Sequence, residues 1–307
     1  MSPPTSSAIV FSYGDGDGVR RLLPVLLASG ADRVGVVTEG DEDLAGSLES
    51  LGGPRLRVFH GADRLGKARA YNQVVPWAQE TEVTFLISAD VGFPCTTLRR
   101  MLEEFADPRV GVVVPRVLPQ PAETAAERVG AVLWHLHDLQ LSTRVGGRED
   151  IHGGEVVALR RSLVVPLPEN VVNDDAYLCL RAVQQGLCVR YCRDAVVRNV
   201  TPSTLRGLCV QRRRVNFGHR QLNGMGMRPR ILTTMMPDEA RTVLSVMGRF
   251  ARSHPGELPY LAVLLGLETY SQALAWGDAR RRKDHSRWAM VPRTAPAPML
   301  RPNAPHS

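Results

Sequence analysis

At 307 residues and 44% hydrophobic, the chain carries enough apolar material for a substantial core, sized for one large domain or one domain with an appendage, which excludes a disordered or fibrous protein. Lys and Arg number 38 against 31 Asp and Glu. The resulting formal charge of +7, with clusters at Arg212–Arg214 and Arg280–Lys283, points to anionic partners: nucleic acid, a nucleotide's phosphates or an anionic membrane surface. Five cysteines, odd in number and without a CxxC pair, exclude a disulfide framework and a zinc cage, and they read as reduced, mostly buried thiols.

The N-terminus, MSPPTSSAIVF, lacks a basic region followed by a long apolar stretch, so no signal peptide is expected and a cytoplasmic location is. The first half then alternates strands and helices. Strands are predicted at Ala8–Ser12, Val34–Thr38, Arg55–Phe59, Val83–Ser88 and Val110–Val114, and helices at Val19–Ala28, Asp43–Ser50, Gly66–Gln79 and Thr96–Phe105. That rhythm predicts right-handed βαβ units and an α/β fold, with a mainly parallel sheet covered by helices on both faces. Ligands of such sheets bind beyond the carboxyl ends of the strands, which places Ser12–Gly18, Thr38–Asp41 and Ser88–Gly92 on one rim.

From Pro121 the pattern turns helical (Ala125–Leu141), passes a glycine-bearing loop at Asp150–Gly154, and returns to a short strand at Val156–Leu159 and a helix from Asp174 to Gln185. Beyond Asn223 come Met225, Met227, Met235 and Met236, then two amphipathic stretches, Glu239–Arg252 and Pro259–Trp276. Leu258–Trp276 is the one segment that resembles a membrane span, but Glu268, Ser271 and Gln272 cut its apolar run to about ten residues, short of the ~20 a span requires. The expected division is a catalytic domain over 1–222, a helical appendage over 223–291 and a proline-rich disordered tail over 292–307.

Several motifs carry chemistry. GDGDG at Gly14–Gly18 lacks the spacing of a phosphate loop and by itself marks a turn, but it and TEGDED (Thr38–Asp43) bring acids to the same rim. Glu39 is placed to accept hydrogen bonds from a base or ribose. GKARAYN puts Lys67 and Asn72 near a helix start, where a lysine and the helix dipole favour a diphosphate, although an ordinary amphipathic helix gives the same pattern. Asp90, at the end of the strand TFLISAD, suits a Mg²⁺ or Mn²⁺ bridging phosphate oxygens; a turn aspartate is the plainer alternative. In Asn173-Asp174-Asp175 helix capping explains one carboxylate and leaves the other as a general base.

The order of TEGDED, GKARAYN, SAD, HGGEVVALRR, NDD and QRRRV resembles the family-2 nucleotide-sugar glycosyltransferases of the GT-A (Rossmann-like) fold, over residues 6–222. The resemblance implies donor binding by Glu39, Lys67, Asn72, Ser88 and Asp90, with Asp90 the metal contact although the first Asp of the family's DxD is Ser88 here. It implies acceptor or diphosphate contacts from His152, Gly153, Asp174, Gln211 and Arg214, and it gives Asp175 the role of catalytic base. The family's QxxRW ends in Val215 rather than Trp, which argues for transfer of a single sugar rather than polymer synthesis. More weakly, Trp288 and Arg293-Thr294 resemble the stretch that follows the membrane helices of some relatives.

The implied activity is inverting transfer from a nucleotide-sugar, UDP-linked, to a hydroxyl of a lipid-linked or small-molecule acceptor. Nucleic acid is not an expected partner, and at most peripheral membrane contact is. A nucleotidyltransferase shares the fold, but the acidic loop after the first strand argues against it. A sugar-nucleotide binder without catalysis is the alternative suggested by Ser88 and Val215.

Overall fold

The computed structural model describes residues 3–142, 153–235 and 239–287. Its elements in chain order are β1 (Ser6–Tyr13), α1 (Gly16–Ala28), β2 (Arg33–Glu39), α2 (Glu42–Leu51), β3 (Leu56–Gly61), α3 (Lys67–Ala78), β4 (Val83–Ser88), β5 (Val91–Gly92) and α4 (Thr96–Glu103). They continue with β6 (Val110–Pro119), α5 (Ala125–Ser142), β7 (Val156–Arg160), α6 (Asp174–Gln184), β8 (Cys188–Asn199), α7 (Leu205–Gly224), α8 (Leu232–Met235), α9 (Ala240–Ser253) and α10 (Leu258–Arg280).

All eight strands form one sheet in the order β3-β2-β1-β4-β7-β6-β8-β5. The β3-β2-β1-β4 block is parallel, as the alternation predicts. The other half departs from a purely parallel arrangement: β7 runs antiparallel to both β4 and β6, and β5 antiparallel to β8. This reversal matters for function. Because β7 runs against β4, its beginning lies beside the end of β4, and the Ser88 N–H donates to the Glu155 carbonyl at 2.9 Å. The loop before β7 therefore joins the rim formed by the ends of β1, β2 and β4.

Strand side chains alternate between two cores. Ala8, Val10, Phe85 and Ile87 pack with α1, α2 and α4 on one face, while Ile9 and Leu86 pack with α3 and α6 on the other. With both faces covered, the strands read as continuous apolar runs. A third core joins α5, α7, α9 and α10 through Val132, Leu208, Phe250 and Leu264. The expected boundary at 222 falls inside α7, which continues to Gly224. The tail at 292–307, like Trp288 and Arg293-Thr294, lies outside the described residues.

Sequence patterning did not reveal β8, because Arg190, Arg193, Asp194 and Arg198 interrupt its apolar alternation. Its place comes from tertiary pairing with β6, with a register irregularity between Pro115/Cys192 and Arg116/Val196 that accommodates the charged turn of chain.

The GDGDG motif is explained by geometry. Gly14 has φ +64°, the left-handed conformation that glycine adopts without penalty. A Cβ on Gly18 would stand 2.2 Å from the Ala89 carbonyl oxygen, so the first turn of α1 rests directly on the backbone beside Asp90. Asp15 caps this helix, accepting from the Gly18 N–H at 2.9 Å. We therefore expect Gly18→Ala to destabilise the fold by about 1–3 kcal/mol through overpacking. Gly46→Ala, on the exposed face of α2 with nothing within 4 Å, should instead stabilise by roughly 0.5–1 kcal/mol. Chemical denaturation of both variants checks the pair.

Candidate active site

The rim carries a cleft lined by Tyr13, Asp15, Glu39, Lys67, Ser88 and Asp90, with Arg64, Gly66 and Ala70 on the α3 side. The parallel registers set Glu39 opposite Tyr13 and Ser88 opposite Phe11, which is why residues distant in sequence share one edge. Glu39 is 7% exposed and uses Oε1 to accept from the Leu65 N–H at 2.9 Å, fixing the loop that leads into α3. The Arg64 guanidinium lies 3.7 Å from the centre of the Tyr13 ring, a cation–π contact across the cleft.

Beyond Lys67 the cleft meets the start of α6. Lys67 Nζ lies 2.9 Å from Asp174 Oδ2. Burial works against the lysine ammonium, but Asp174, Asp175 and Glu155 outweigh it and hold its pKa above the usual lysine value. Asp174 is therefore an ion-pair partner rather than a helix cap. The capping position belongs to Asn173, whose side chain does not cap but donates to the Val215 carbonyl at 2.9 Å. Gly218 makes room for that amide, since a Cβ there would sit 2.4 Å from it.

Asp175, the next residue, forms no ion pair among the described residues. Burial, followed by the neighbouring Asp174 charge, raises its pKa to about 6, against the opposing pull of Lys67, the Ala176 N–H and Arg214. Its carboxylate borders Gly154: a Cβ on Gly154 would be 3.6 Å from Asp175 Oδ2 and 3.7 Å from Trp134 Cη2. An acid that titrates near neutrality thus stands beside an aromatic edge, adjoining the cleft through the Lys67–Asp174 pair.

Helix α7 holds this acidic segment in place. Arg214 donates to the Val172 carbonyl at 3.1 Å, and Gln221 Oε1 accepts from the Val172 N–H at 3.0 Å. Burial pulls the pKa of Arg214 down, while Asp174, Asp175 and Glu155 support its charge. Gln211 lies one turn earlier on the same helix. The neighbouring arginines face the other way: Arg212 pairs with Glu268 and Arg213 with Asp278 of α10.

Two anticipated contacts sit elsewhere. Asn72 spends both ends of its amide on Leu167, donating to its carbonyl at 2.9 Å and accepting from its N–H at 2.7 Å, so it ties α3 to the chain before α6. Gly153 is packed against β6, where a Cβ would fall 2.6 Å from that of Val114. His152 lies outside the described residues.

Three contributors were not foreseen. Glu155 has φ +54°, a strained conformation for a non-glycine residue, and Oε1 accepts from Asn199 Nδ2 at 2.6 Å, which holds its carboxylate near Lys67 and Arg214. Its neighbours in GGEVV gave the only hint. Trp134 comes from α5, distant in sequence from every motif. The chain after α10 also returns to the site: the Ser286 carbonyl lies against Gly66, 2.8 Å from where a Cβ would be, anchored by His285 on Asp278 at 2.9 Å and on the Phe217 ring.

A metal would find hard oxygen ligands here, but few. Among the described residues no cluster of three His, Cys, Asp or Glu is arranged to hold an ion. Asp15 caps α1 and Glu39 accepts from Leu65, and the Asp90 carboxylate and the Ser88 hydroxyl line the same cleft. That suits an ion such as Mg²⁺, which takes one or two carboxylates and completes its shell with water and substrate phosphates.

No curated protein sequence matches the chain. Among solved structures, the mannosyltransferase PcManGT from Pyrobaculum calidifontis, in complex with GDP-Man and Mn²⁺, is similar with a TM-score of 0.60 at 20% identity, covering 93% of this chain and 83% of its own. GalNAc-T7 with UDP, GalNAc and Mn²⁺ is similar at a TM-score of 0.51 and 11% identity, covering 79% of this chain and 58% of its own. These likenesses establish the fold, which is the GT-A arrangement that the motifs imply. The family model described as glycosyl transferase family group 2 matches residues 83–294, from β4 through α10. On that match, which takes in well over half of the chain, the protein belongs to the family-2 glycosyltransferases.

Proposed function

We propose that the protein is an inverting glycosyltransferase that moves one sugar from a nucleotide-sugar, UDP-linked, to a hydroxyl of a lipid-linked or small-molecule acceptor. The observation that carries the reading is Asp175: a carboxylate with its pKa near 6, beside Trp134 and next to a cleft lined by Lys67 and Asp90. A general base works best when its pKa lies near the operating pH. Asp175 takes the proton from the acceptor hydroxyl as its oxygen bonds to the anomeric carbon, while the bond from that carbon to the diphosphate breaks on the opposite face. Opposed attack and departure invert the anomeric configuration.

In this reading the donor lies in the rim cleft, with Glu39 and Tyr13 toward the nucleoside and Lys67 and Arg214 toward the diphosphate, whose growing charge they neutralise. A divalent ion held by Asp90 would add Lewis-acid stabilisation of the leaving group. The enclosed part of the cleft is about 110 Å³, below the 300–1,000 Å³ typical of sites that bury a small ligand. Trp134 offers the acceptor an aromatic edge beside the base. Val215, where processive relatives have Trp, supports one transfer per encounter.

With a panel of UDP-, GDP- and dTDP-sugars and candidate acceptors, Asp175→Asn should lower sugar transfer by about 10²–10⁴-fold while nucleotide binding persists. Full turnover in this variant would sink the assignment. In the wild-type enzyme, kcat/KM should fall about tenfold per pH unit below about 6, where Asp175 becomes protonated.

The same carboxylate has an opposite effect on stability. Because its folded pKa of about 6 lies above the ordinary value of 3.8, the folded protein loses stability as pH rises from about 3.8 to about 6, and the full penalty is present above that. Asp175→Asn should thus stabilise the protein by ~1–3 kcal/mol at pH 8, with the gain vanishing near pH 4. Thermal melts across that range test it. Asp90→Ala should weaken Mn²⁺-dependent nucleotide binding in calorimetry and leave metal-free binding nearly unchanged; equal loss in both conditions would remove Asp90 as the metal contact.

A further inference from the structure

Helix α10 is apolar on its outward side as well as its inward one, and its acidic residues lie inward. A surface helix of a soluble protein ordinarily turns its apolar stripe inward and its charged residues outward. Here Glu268, Ser271 and Asp278 lie on the buried face, at 7%, 0% and 1% exposure, alongside Leu261, Leu264 and Ala275. The outward face presents Leu258, Val263, Leu265, Tyr270 and Trp276, each more than 40% exposed. From Leu258 to Ala279 no exposed position of this helix carries a charge. The hydroxyl of Thr269 is turned back onto the Leu265 carbonyl at 2.9 Å, so it does not need water.

The inward polar face is matched from α7. Arg212 pairs with Glu268, whose other oxygen accepts from Asn216 at 3.1 Å, and Arg213 pairs with Asp278. Asn216 also donates to Ser271 at 2.9 Å. Buried charges of this kind must be paired to be tolerated. The pairing holds α10 in one rotation about its axis, with its apolar side outward.

We propose that the outward face of α10 docks this protein on an anionic lipid surface. The helix is about 35 Å long, and no helix among the described residues is long and apolar enough to cross a membrane. It therefore suits lying in the interface, with its apolar side in the acyl boundary. Tyr270 and Trp276 are the amphipathic rings that favour that depth. At its C-terminal end come the exposed Arg280, Arg281, Arg282 and Lys283, with the Arg280 guanidinium 3.4 Å from the centre of the Trp276 ring. A cationic cluster beside an apolar stripe matches negatively charged headgroups better than it matches a second protein's neutral apolar patch. This docking is independent of the reaction assigned above.

The test is flotation of the full-length protein with phosphatidylcholine vesicles and with vesicles containing about a quarter phosphatidylglycerol, an arbitrary composition chosen to supply anionic charge. The Asp175→Asn protein is run in parallel, so that failure to bind lipid and failure to transfer sugar are separate results. Binding to the anionic vesicles is expected, weakened by salt. Arg281→Gln/Arg282→Gln/Lys283→Gln should weaken it by on the order of a hundredfold, at about 1 kcal/mol per basic residue. Leu265→Glu/Tyr270→Glu should abolish it while the thermal melt stays cooperative. Absence of flotation, or flotation that survives Leu265→Glu/Tyr270→Glu, overturns the proposal. So does a dimer in sedimentation that this double variant dissolves without any lipid binding, because the face would then be an interface between copies.

Discussion

The ion pair between Lys67 and Asp174 is the interaction on which the site depends. It joins the start of α3, which follows β3, to the start of α6, which follows β7, the strand that runs against both its neighbours. Two adjacent acids at a helix start would repel each other, and Asp174 spends its charge on the lysine. Asp175 keeps the desolvated position beside it and is left as the acid that titrates near neutrality. The division of labour between two carboxylates thus comes from environment and not from residue type.

The scaffold around this pair is built from backbone fits that leave no freedom. Gly18 lets α1 settle on the Ala89 carbonyl, Gly153 lies under Val114, and Gly218 receives the Asn173 amide. Each close approach brings a motif to the rim. Asn72 belongs with them: its reciprocal bonds to Leu167 hold the chain ahead of α6 against α3, which in turn keeps Lys67 within reach of Asp174. Asn72, expected from the sequence as a donor contact, places both ends of its amide on Leu167.

What could be read from the chain follows the physics of each element. The βαβ rhythm, the rim and the placement of Glu39, Lys67, Ser88 and Asp90 on it were legible, because parallel strands buried on both faces leave unbroken apolar runs and short loops. The strand β8 was not, since its charged residues are compensated by pairing with β6 that only the folded chain supplies. Trp134, Glu155 and Ser286 reach the site from α5, from a strained turn and from beyond α10. Contacts at such separations leave no local periodicity, so no window along the sequence could have found them.

Helix α10 shows a related limit with a different cause. Glu268, Ser271 and Gln272 read as cutting its apolar run too short to span a membrane, and no helix among the described residues is long and apolar enough to cross one. Averages do not reveal direction. Glu268, Ser271 and Asp278, matched by Arg212, Arg213 and Asn216, account for why the helix turns its other side outward. The basic motif in α7 therefore divides its work along one turn: Arg214 holds the segment before Asp174 and Asp175, while Arg212 and Arg213 set the rotation of α10. Site geometry and surface chemistry are linked through a single helix, so a change that loosens α7 disturbs both.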